Sequence, residues 1–185
     1  MNITVYLGAS NTNNRRISNA ARDLGKWIGK NGHTLVYGGS KEGTMGIIAD
    51  AALQESGKVI GIEPEMFIKN EVQHEGISEL IVTEDMNERK DKMMELGDVF
   101  VVLPGGTGTL EEASEILCRI HLNIIKKKII FLNIENYWEP LYSMFESMIH
   151  YGFLEEDFME RIAFADDIDI LCWELSQQMN EQTVE

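Results

Sequence analysis

The residues best suited to chemistry lie in one short stretch, 104–112, which reads PGGTGTLEE. Glycines let a backbone approach a ligand closely, and the helical pattern that follows would present unpaired N–H groups and the positive end of its dipole. Together they predict an anion site, and one helix N-terminus suits a single phosphate group. Thr109 can add a hydroxyl, and Glu111 and Glu112 would follow in the first helical turn. From these residues alone, a strand-to-helix turn with surface acids is the alternative.

The same stretch departs from the fingerprint of a dinucleotide site. Gly106 and Gly108 could supply its first two glycines, but the third falls on Glu111, whose long side chain obstructs close helix packing. The acidic ribose ligand expected about 20 residues later would fall among the lysines at 126–128. No G-x-x-x-x-G-K-[ST] motif occurs in the sequence. The sequence therefore disfavours NAD and P-loop binding and favours one phosphate group.

Two further clusters stand at the ends of predicted strands. One is the run 86–90 (MNERK), in which Arg89 and Lys90 lie near a helix start, although cations there oppose the helix dipole. The other is 37–46 (YGGSKEGTMG), a second glycine-rich passage from strand to helix. An anionic ligand would explain the cations, while a solvated face and ordinary turn chemistry are the alternatives. Three such passages at strand ends favour one shared cleft.

The elements that must position these clusters alternate along the chain. Short apolar runs predict strands at 3–8, 34–37, 59–62, 80–83, 99–103, 128–132 and 162–165. Helical spacing predicts helices at 14–31, 44–56, 87–96, 109–122, 138–151 and 168–179, and 65–78 is a loop with at most one helical turn. This alternation predicts an α/β fold, with a parallel sheet covered by helices on both faces. The strand at 99–103 (VFVVL) is apolar throughout and is therefore expected to be central.

Length and composition limit the kinds of partner that the chain can have. The 185 residues suit a single domain, 1–185, with a tail at about 180–185 that we expect to fray. The net charge of −15 argues against nucleic-acid binding, but not against a small anion in a local pocket. Cys118 and Cys172 are far apart, and no Cys/His spacing of a metal site occurs. Since neither a signal peptide nor an apolar run of ~20 residues is visible, we expect a cytoplasmic protein with no membrane partner and no metal.

The three clusters together resemble the Lonely Guy (LOG) family of nucleotide phosphoribohydrolases. The family's P-G-G-x-G-T-x-x-E motif stands here at 104–112, and its M-x-x-R-K motif stands at 86–90. Its YGG…MG passage matches 37–39 and 45–46, and its G-[SA]-S start matches 8–10. With two further segments, 133–137 and 151–154, the likeness covers about residues 3–155.

The resemblance implies a Rossmann-like, doubly wound α/β homodimer that needs no cofactor. It implies cleavage of the N-glycosidic bond of N6-modified adenosine 5′-monophosphates, which releases the free base and ribose 5-phosphate. Arg89 and Glu112 occupy the positions that are catalytic in the family. Glu71 lies 18 residues before Arg89, the spacing of a substrate-contacting glutamate in the family. The implied substrate-binding residues are Ser10, Gly39, Met45, Glu71, Met86, Lys90, Gly105, Gly106, Thr107, Gly108, Thr109 and Glu111.

The chemistry expected of such a site assigns roles to its two charged residues. N-glycoside cleavage passes through an oxocarbenium-like ribosyl cation, which Glu112 would stabilise while it holds the attacking water. Arg89 would meet the leaving base or clamp the phosphate. Departures from the family, such as Leu7 in place of a cysteine, would alter the base end of the pocket and leave the base preference open.

Two other functions bear on the same residues. A non-catalytic carrier of a nucleotide or of a molybdopterin-type cofactor is the main alternative, because a sequence does not show turnover. Family members were long labelled possible lysine decarboxylases, but no lysine here lies in a familiar PLP-lysine motif.

The helix predicted at 109–122 bears on assembly. Between 114 and 122 it carries more large apolar residues than a one-sided helix requires, namely Ile116, Leu117, Ile120 and Leu122. A core helix and a dimer interface both explain them, and the resemblance favours a dimer across such helices.

Overall fold

The structure is a computed structural model that describes residues 1–68 and 73–182. The strands are β1 Asn2–Tyr6, β2 Thr34–Tyr37, β3 Lys58–Pro64, β4 Glu79–Thr83, β5 Val99–Val102, β6 Ile129–Leu132 and β7 Ile162–Ala165. The α-helices are α1 Arg15–Lys30, α2 Gly43–Gln54, α3 Glu65–Ile68, α4 Met86–Leu96, α5 Thr107–His121, α6 Glu139–His150 and α7 Ile168–Gln182. Two 3₁₀ turns occupy Ile134–Asn136 and Glu156–Arg161.

The strands form one sheet in the order β4-β3-β2-β1-β5-β6-β7, and each neighbouring pair is parallel. Helices α1, α2 and α7 pack on one face, and α4, α5 and α6 pack on the other. The predicted α/β fold, with helices on both faces of a parallel sheet, is confirmed. In β5, Val99 and Val101 enter one core layer while Phe100 and Val102 enter the other. Burial on both faces explains why this strand is apolar at every position.

The order of the strands defines where a ligand can bind. From β1 the chain proceeds outward through β2 and β3 to the edge strand β4, and α4 then returns it to β5 on the other side of β1. The loops that follow β1 and β5 therefore separate at the carboxyl ends of two adjacent strands. This is the topological switch point at which ligands bind in open α/β sheets. The stretch 104–112 follows β5 directly and so lies at this point.

Most predicted boundaries agree with the observed ones to within two residues. Helices α2 and α5 begin earlier than predicted, at Gly43 and Thr107. Glycine's low helix propensity moved the predicted starts downstream, but the first turn tolerates glycine because its N–H groups lack helical partners. Helix α7 ends at Gln182, three residues beyond its predicted end, and 183–185 lie outside the described residues, so the expected fraying of the tail stays a prediction.

The weakly patterned region after β3 contains one helical turn, α3, as predicted. Residues 69–72, which include Glu71, lie outside the described part of the chain. Among the helices that the structure describes, none is both long enough and apolar enough to cross a bilayer.

Candidate active site

A cleft of about 640 Å³ opens at the carboxyl ends of β1 and β5. Its walls come from the loop after β1, from the first turns of α2, α4 and α5, and from Tyr137 before α6. The volume lies within the range of about 300–1,000 Å³ that is usual for small-molecule sites. All three passages that we expected to share one cleft contribute to it, although 37–46 supplies only Thr44 and Met45. The segment 8–10 lines the same cavity.

The N-terminus of α5 is open to a ligand. Its N-cap is Gly106, which has no side chain to accept a hydrogen bond from the first turn. The N–H of Leu110 is bonded to the Gly106 carbonyl at 3.1 Å, so the preceding amides of Thr107, Gly108 and Thr109 are the ones that lack a helical acceptor. By contrast, α4 is capped by Asp85, whose carboxylate accepts from two backbone N–H groups. The uncapped end of α5 therefore has the donors and the dipole that an anion requires.

The glycines of this loop differ in what surrounds them. A Cβ atom at Gly105 would overlap Thr109 Oγ1 and would lie 2.7 Å from Thr109 Cβ, so packing within the protein excludes a side chain there. A Cβ at Gly106 or Gly108 would meet no protein atom within 4 Å. Packing therefore does not account for glycine at these two positions. Close approach of a ligand to the backbone does account for it.

The most buried charges of the cleft form one ion pair. Arg89 Nη1 donates to Glu112 Oε1 at 2.6 Å, and the two residues are 5% and 6% exposed. Arg89 Nε also donates to the Ile62 carbonyl at 3.0 Å, which fixes the plane of the guanidinium. A Cβ at Gly38 would overlap Arg89 Nη2, so the glycine after β2 makes room for the arginine. These contacts hold one cation and one carboxylate at defined positions in the cleft wall.

Burial shifts the ionisation of the groups around this pair. It raises the pKa of Glu112 above its usual range, although the adjacent Arg89 acts in the opposite direction. The pKa of the Tyr6 hydroxyl is also raised, first by burial and then by the negative charge of Glu112. A carboxylate that carries a net desolvation penalty interacts strongly with a developing positive charge, because little water screens it. The pair can therefore stabilise both an anionic group and a cationic centre.

The two adjacent glutamates of the motif lie on different faces of α5. The structure places both in the second helical turn, so the expectation that they lie in the first turn was wrong, because α5 begins at Thr107. Consecutive helical residues point about 100° apart, and Glu112 faces the cleft while the Glu111 side chain is 58% exposed. Glu111 binds Lys90 Nζ at 2.6 Å outside the described cleft lining.

Lys90 belongs to a row of ion pairs that joins α4 to α5. Its ammonium group contacts Glu111 at 2.6 Å and Glu115 at 3.1 Å. One residue further along α4, Asp91 contacts Arg119 at 2.6 Å. This row continues the buried pair of Arg89 and Glu112 toward the surface. It fixes the register of the two helices that supply the buried pair.

The structure brings together most of the residues predicted to form the site. The residues that line the cleft are Ser10, Met45, Met86, Arg89, Gly105, Gly106, Thr107, Gly108, Thr109 and Glu112. Lys90, Glu111 and Gly39 do not belong to the described lining. Gly39 has a φ of 86° and packs against the buried side chain of Glu63 on the neighbouring strand. Glu71 lies outside the described residues, so its predicted contact stays a prediction.

The structure also shows residues that the sequence patterns did not single out. Tyr137 lines the cleft and donates its hydroxyl hydrogen bond to the Gly105 carbonyl at 2.5 Å. Phe67 and Ile17 add apolar surface to the wall. Glu63 is 2% exposed, and its Oε2 has no hydrogen-bond partner. Glu63 could have been noticed from the sequence as a carboxylate at the end of the apolar run 59–62. The only sequence signal for Tyr137 was that it lies in a segment resembling the family.

Fold and cleft together place the chain among the Rossmann-like α/β proteins. Solved structures agree with this class, including a molybdenum cofactor binding protein of Rippkaea orientalis, with a TM-score of 0.72 and 23% identity over 96% of both chains. A Moco carrier protein of Chlamydomonas reinhardtii gives a TM-score of 0.73 at 21% identity, over 97% of this chain and 98% of that one. At these identities the likeness shows the fold alone.

Sequence comparisons define the family more narrowly. A family model described as "Possible lysine decarboxylase" matches residues 45–175. A cytokinin riboside 5′-monophosphate phosphoribohydrolase of Rhodococcoides fascians is 39% identical over 168 residues, which are 90% of this chain and 85% of that protein. The enzyme of the same name, LOG, from Oryza sativa subsp. japonica is 34% identical over 182 residues, which are 98% and 75% of the two chains. The chain belongs to this family, the LOG family that its motifs predicted.

Proposed function

We propose that this protein hydrolyses the N-glycosidic bond of adenosine 5′-monophosphate or of its N6-modified forms, which yields the free base and ribose 5-phosphate. The observation that carries the proposal is the buried pair of Arg89 and Glu112 in the same cleft as the uncapped N-terminus of α5. A phosphate on the open amides of α5 would direct the attached ribose along the cleft wall. The names of relatives that are 34–39% identical over most of the chain support the same reaction.

In this mechanism Glu112 is the group that acts on the ribose. The bond from the anomeric carbon to the base breaks, and the base leaves with the bonding electrons. The carboxylate stabilises the ribosyl cation and orients the water that attacks it, and a proton from that water is finally transferred to the base. Binding energy from the distant phosphate positions the ribose over the carboxylate, which lowers the entropic part of the barrier.

Arg89 is proposed to contact the phosphate or the leaving base. Its Nε and one N–H of Nη1 are engaged by the Ile62 carbonyl and by Glu112, which leaves Nη2, next to Gly38, and the second N–H of Nη1 as donors for substrate. A fixed guanidinium at this position can meet a ring nitrogen of the base or an oxygen of the phosphate. Its charge also favours the ionised form of Glu112 and so opposes the effect of burial, which raises the pKa of that carboxyl group.

Part of the cleft lining is apolar. Met45, Phe67 and Met86 belong to it, and methionine side chains adapt to ligands of different shape. We propose that the adenine ring and an apolar N6 substituent contact these three side chains, which we call the base end of the cleft. A comparison of kcat/KM for AMP and for N6-prenyl-AMP tests this assignment, which predicts a higher value for N6-prenyl-AMP. Equal values would place the substituent in solvent, and a tenfold preference for AMP would indicate a clash.

Incubation of the purified protein with AMP, followed by chromatographic detection of free adenine, tests the proposed reaction. Glu112→Gln should abolish adenine release while the protein stays folded, and the exposed Glu146→Gln on α6 is the matched control. Retention of more than about a tenth of wild-type kcat/KM by Glu112→Gln, a loss below ~1.4 kcal/mol, would refute the catalytic assignment. Tight binding of AMP without release of adenine by the wild type would instead support a carrier.

The decarboxylase description of the family model finds no support in the cleft. A PLP-dependent decarboxylase needs a lysine that forms a Schiff base with the cofactor. Within the part of the cleft lining that the structure describes, there is no lysine side chain. Lysine supplied together with PLP should therefore yield no carbon dioxide.

We further propose that the protein is a cytoplasmic homodimer that binds neither nucleic acid nor membranes. The net charge of −15 opposes contact with phosphate backbones and anionic lipid. Helix α5 buries Ile116, Leu117 and Ile120 in its own core, whereas Leu122, directly after the helix, is 58% exposed. Tyr151 and Phe153 after α6 are 73% and 77% exposed and offer further apolar contact surface. Light scattering tests the dimer, which should have twice the 21.0 kDa mass of one chain.

A further inference from the structure

The segment before α6 contacts the phosphate loop directly. Tyr137, 43% exposed, lines the cleft, and its hydroxyl group donates to the Gly105 carbonyl at 2.5 Å. Its ring packs edge-on against Trp138, with the ring centroids 4.9 Å apart. Trp138 is itself buried, and its backbone N–H donates to Asn133 Oδ1 at 2.7 Å. Trp138 therefore holds the tyrosine ring in place, and the hydroxyl group makes the contact with the Gly105 loop.

The same segment is attached to the start of α1. Glu135 has a φ of 59°, which is uncommon for a residue with a side chain. Its carboxylate accepts from Arg16 Nη1 at 2.8 Å and from Asn14 Nδ2 at 3.2 Å, at the N-terminus of α1. The segment 133–138 thus connects the start of α1 to the loop after β5, and it holds Tyr137 between them.

The contacted carbonyl belongs to the peptide that joins two glycines. A peptide unit is planar, so the Gly105 carbonyl and the Gly106 N–H turn together and point in opposite directions. Between two glycines this unit can rotate with little steric cost. A hydroxyl that donates to the carbonyl favours one orientation, and it also offsets the repulsion that a carbonyl oxygen exerts on a nearby phosphate.

We propose that Tyr137 is a positioning residue for the 5′-phosphate end of the substrate. It holds the Gly105–Gly106 peptide in one orientation, so that the phosphate meets amides that are already arranged. This role rests on the proposed function, because it assumes that the phosphate of a nucleoside monophosphate binds at the N-terminus of α5. It acts through the backbone of the loop and leaves the base end of the cleft unaffected.

Tyr137→Phe tests the role because it removes the hydroxyl and keeps the ring. Tyr142→Phe is the matched control, since Tyr142 lies on α6, outside the described cleft lining, with its ring against Phe164. Titration calorimetry with ribose 5-phosphate and with adenine reports the two ends of the cleft separately. For Tyr137→Phe we expect Kd for ribose 5-phosphate to rise by roughly 3- to 10-fold, as the loss of one hydrogen bond predicts. Kd for adenine should stay within about twofold, and Tyr142→Phe should change neither.

The outcomes separate this role from a general structural one and from the proposed reaction. The positioning role would be overturned if Tyr137→Phe weakened the binding of both ligands equally or left the binding of ribose 5-phosphate unchanged. It would also be overturned if the wild-type protein did not bind ribose 5-phosphate. If the wild type binds ribose 5-phosphate but releases no adenine from AMP, the proposed reaction fails while a selective effect of Tyr137→Phe still supports the positioning role. With AMP as substrate, the variant should show its change mainly in KM rather than in kcat.

Discussion

Replacement of Gly108 by alanine should make the protein more stable and less able to bind substrate. A Cβ atom at this position would meet no protein atom within 4 Å, so the added methyl group causes no clash. Alanine is preferred over glycine in helix interiors by about 0.5–1 kcal/mol, which is an upper bound for Gly108 in the first turn of α5. In a chain of this length that gain corresponds to a rise in Tm of about 1–4 °C.

The loss of binding follows from the direction of the methyl group. In an α-helix each Cα–Cβ bond tilts toward the N-terminus, so the alanine side chain would extend into the space where we place the phosphate. Displacement of one charge-assisted hydrogen bond costs about 1.5–3 kcal/mol. Kd for ribose 5-phosphate should therefore rise by roughly 10- to 150-fold.

Gly105→Ala is the matched comparison because its methyl group would meet protein instead of open space. It would overlap Thr109 Oγ1, and overpacking of this kind costs about 1–3 kcal/mol. Scanning calorimetry should show opposite changes in Tm for the two variants, and titration calorimetry measures ribose 5-phosphate binding. A Gly108→Ala protein that binds ribose 5-phosphate as tightly as the wild type would refute the assignment of the phosphate to this helix end. A lowered Tm of the Gly108→Ala protein would refute the inference that the space around Gly108 is open.

Three further predictions concern the charged groups. Burial raises the pKa of Glu63 in the folded state, so the ionised carboxylate destabilises the fold above that pKa. Below the pKa of the unfolded chain the group is protonated in both states and has no such effect. Glu63→Gln should therefore raise Tm at pH 8, and calorimetric scans near pH 4 should show no gain. The raised pKa of Glu112 in the free enzyme should place the acidic limb of kcat/KM above the usual glutamate value of about 4.3. A kcat/KM for AMP that is constant down to pH 4.5 would contradict the prediction. Lys90→Met removes two ion pairs outside the described cleft lining and should cost about 1 kcal/mol of stability, with KM for AMP within about threefold of wild type. A tenfold rise in KM would instead support the substrate contact that the resemblance implies for Lys90.

The parts of the site that were predictable from the sequence are those with local signals. An apolar strand, three glycines and a helical pattern are contiguous at 99–117, and this is sufficient to predict an anion site at a strand end. The parallel sheet follows from the alternation of strands and helices. Both inferences use residues that are close in the chain, where local backbone geometry determines the secondary structure.

Other features depend on tertiary packing. The sequence does not distinguish Gly105, which packs against Thr109, from Gly108, which faces open space. Nor does it show that Glu112 is buried against Arg89 while its neighbour Glu111 lies on the surface, since that depends on how α5 is rotated against α4. The resemblance assigned Glu111 and Lys90 to substrate, whereas the structure pairs them with each other. Sequence motifs name the residues, and helix packing decides which of them reach the cleft.

The cleft joins segments that are far apart in the chain, and this has a consequence for the search for substrates. Its lining residues extend from Leu7 to Tyr137, so the cavity exists only when most of the fold is intact. A compound that occupies it binds the native state alone and raises Tm in proportion to the logarithm of its concentration over Kd. Thermal shifts across a panel of nucleoside monophosphates, bases and sugar phosphates would therefore rank ligands by affinity before any turnover is measured. The unfolding transition of this protein is in effect a direct assay of its specificity.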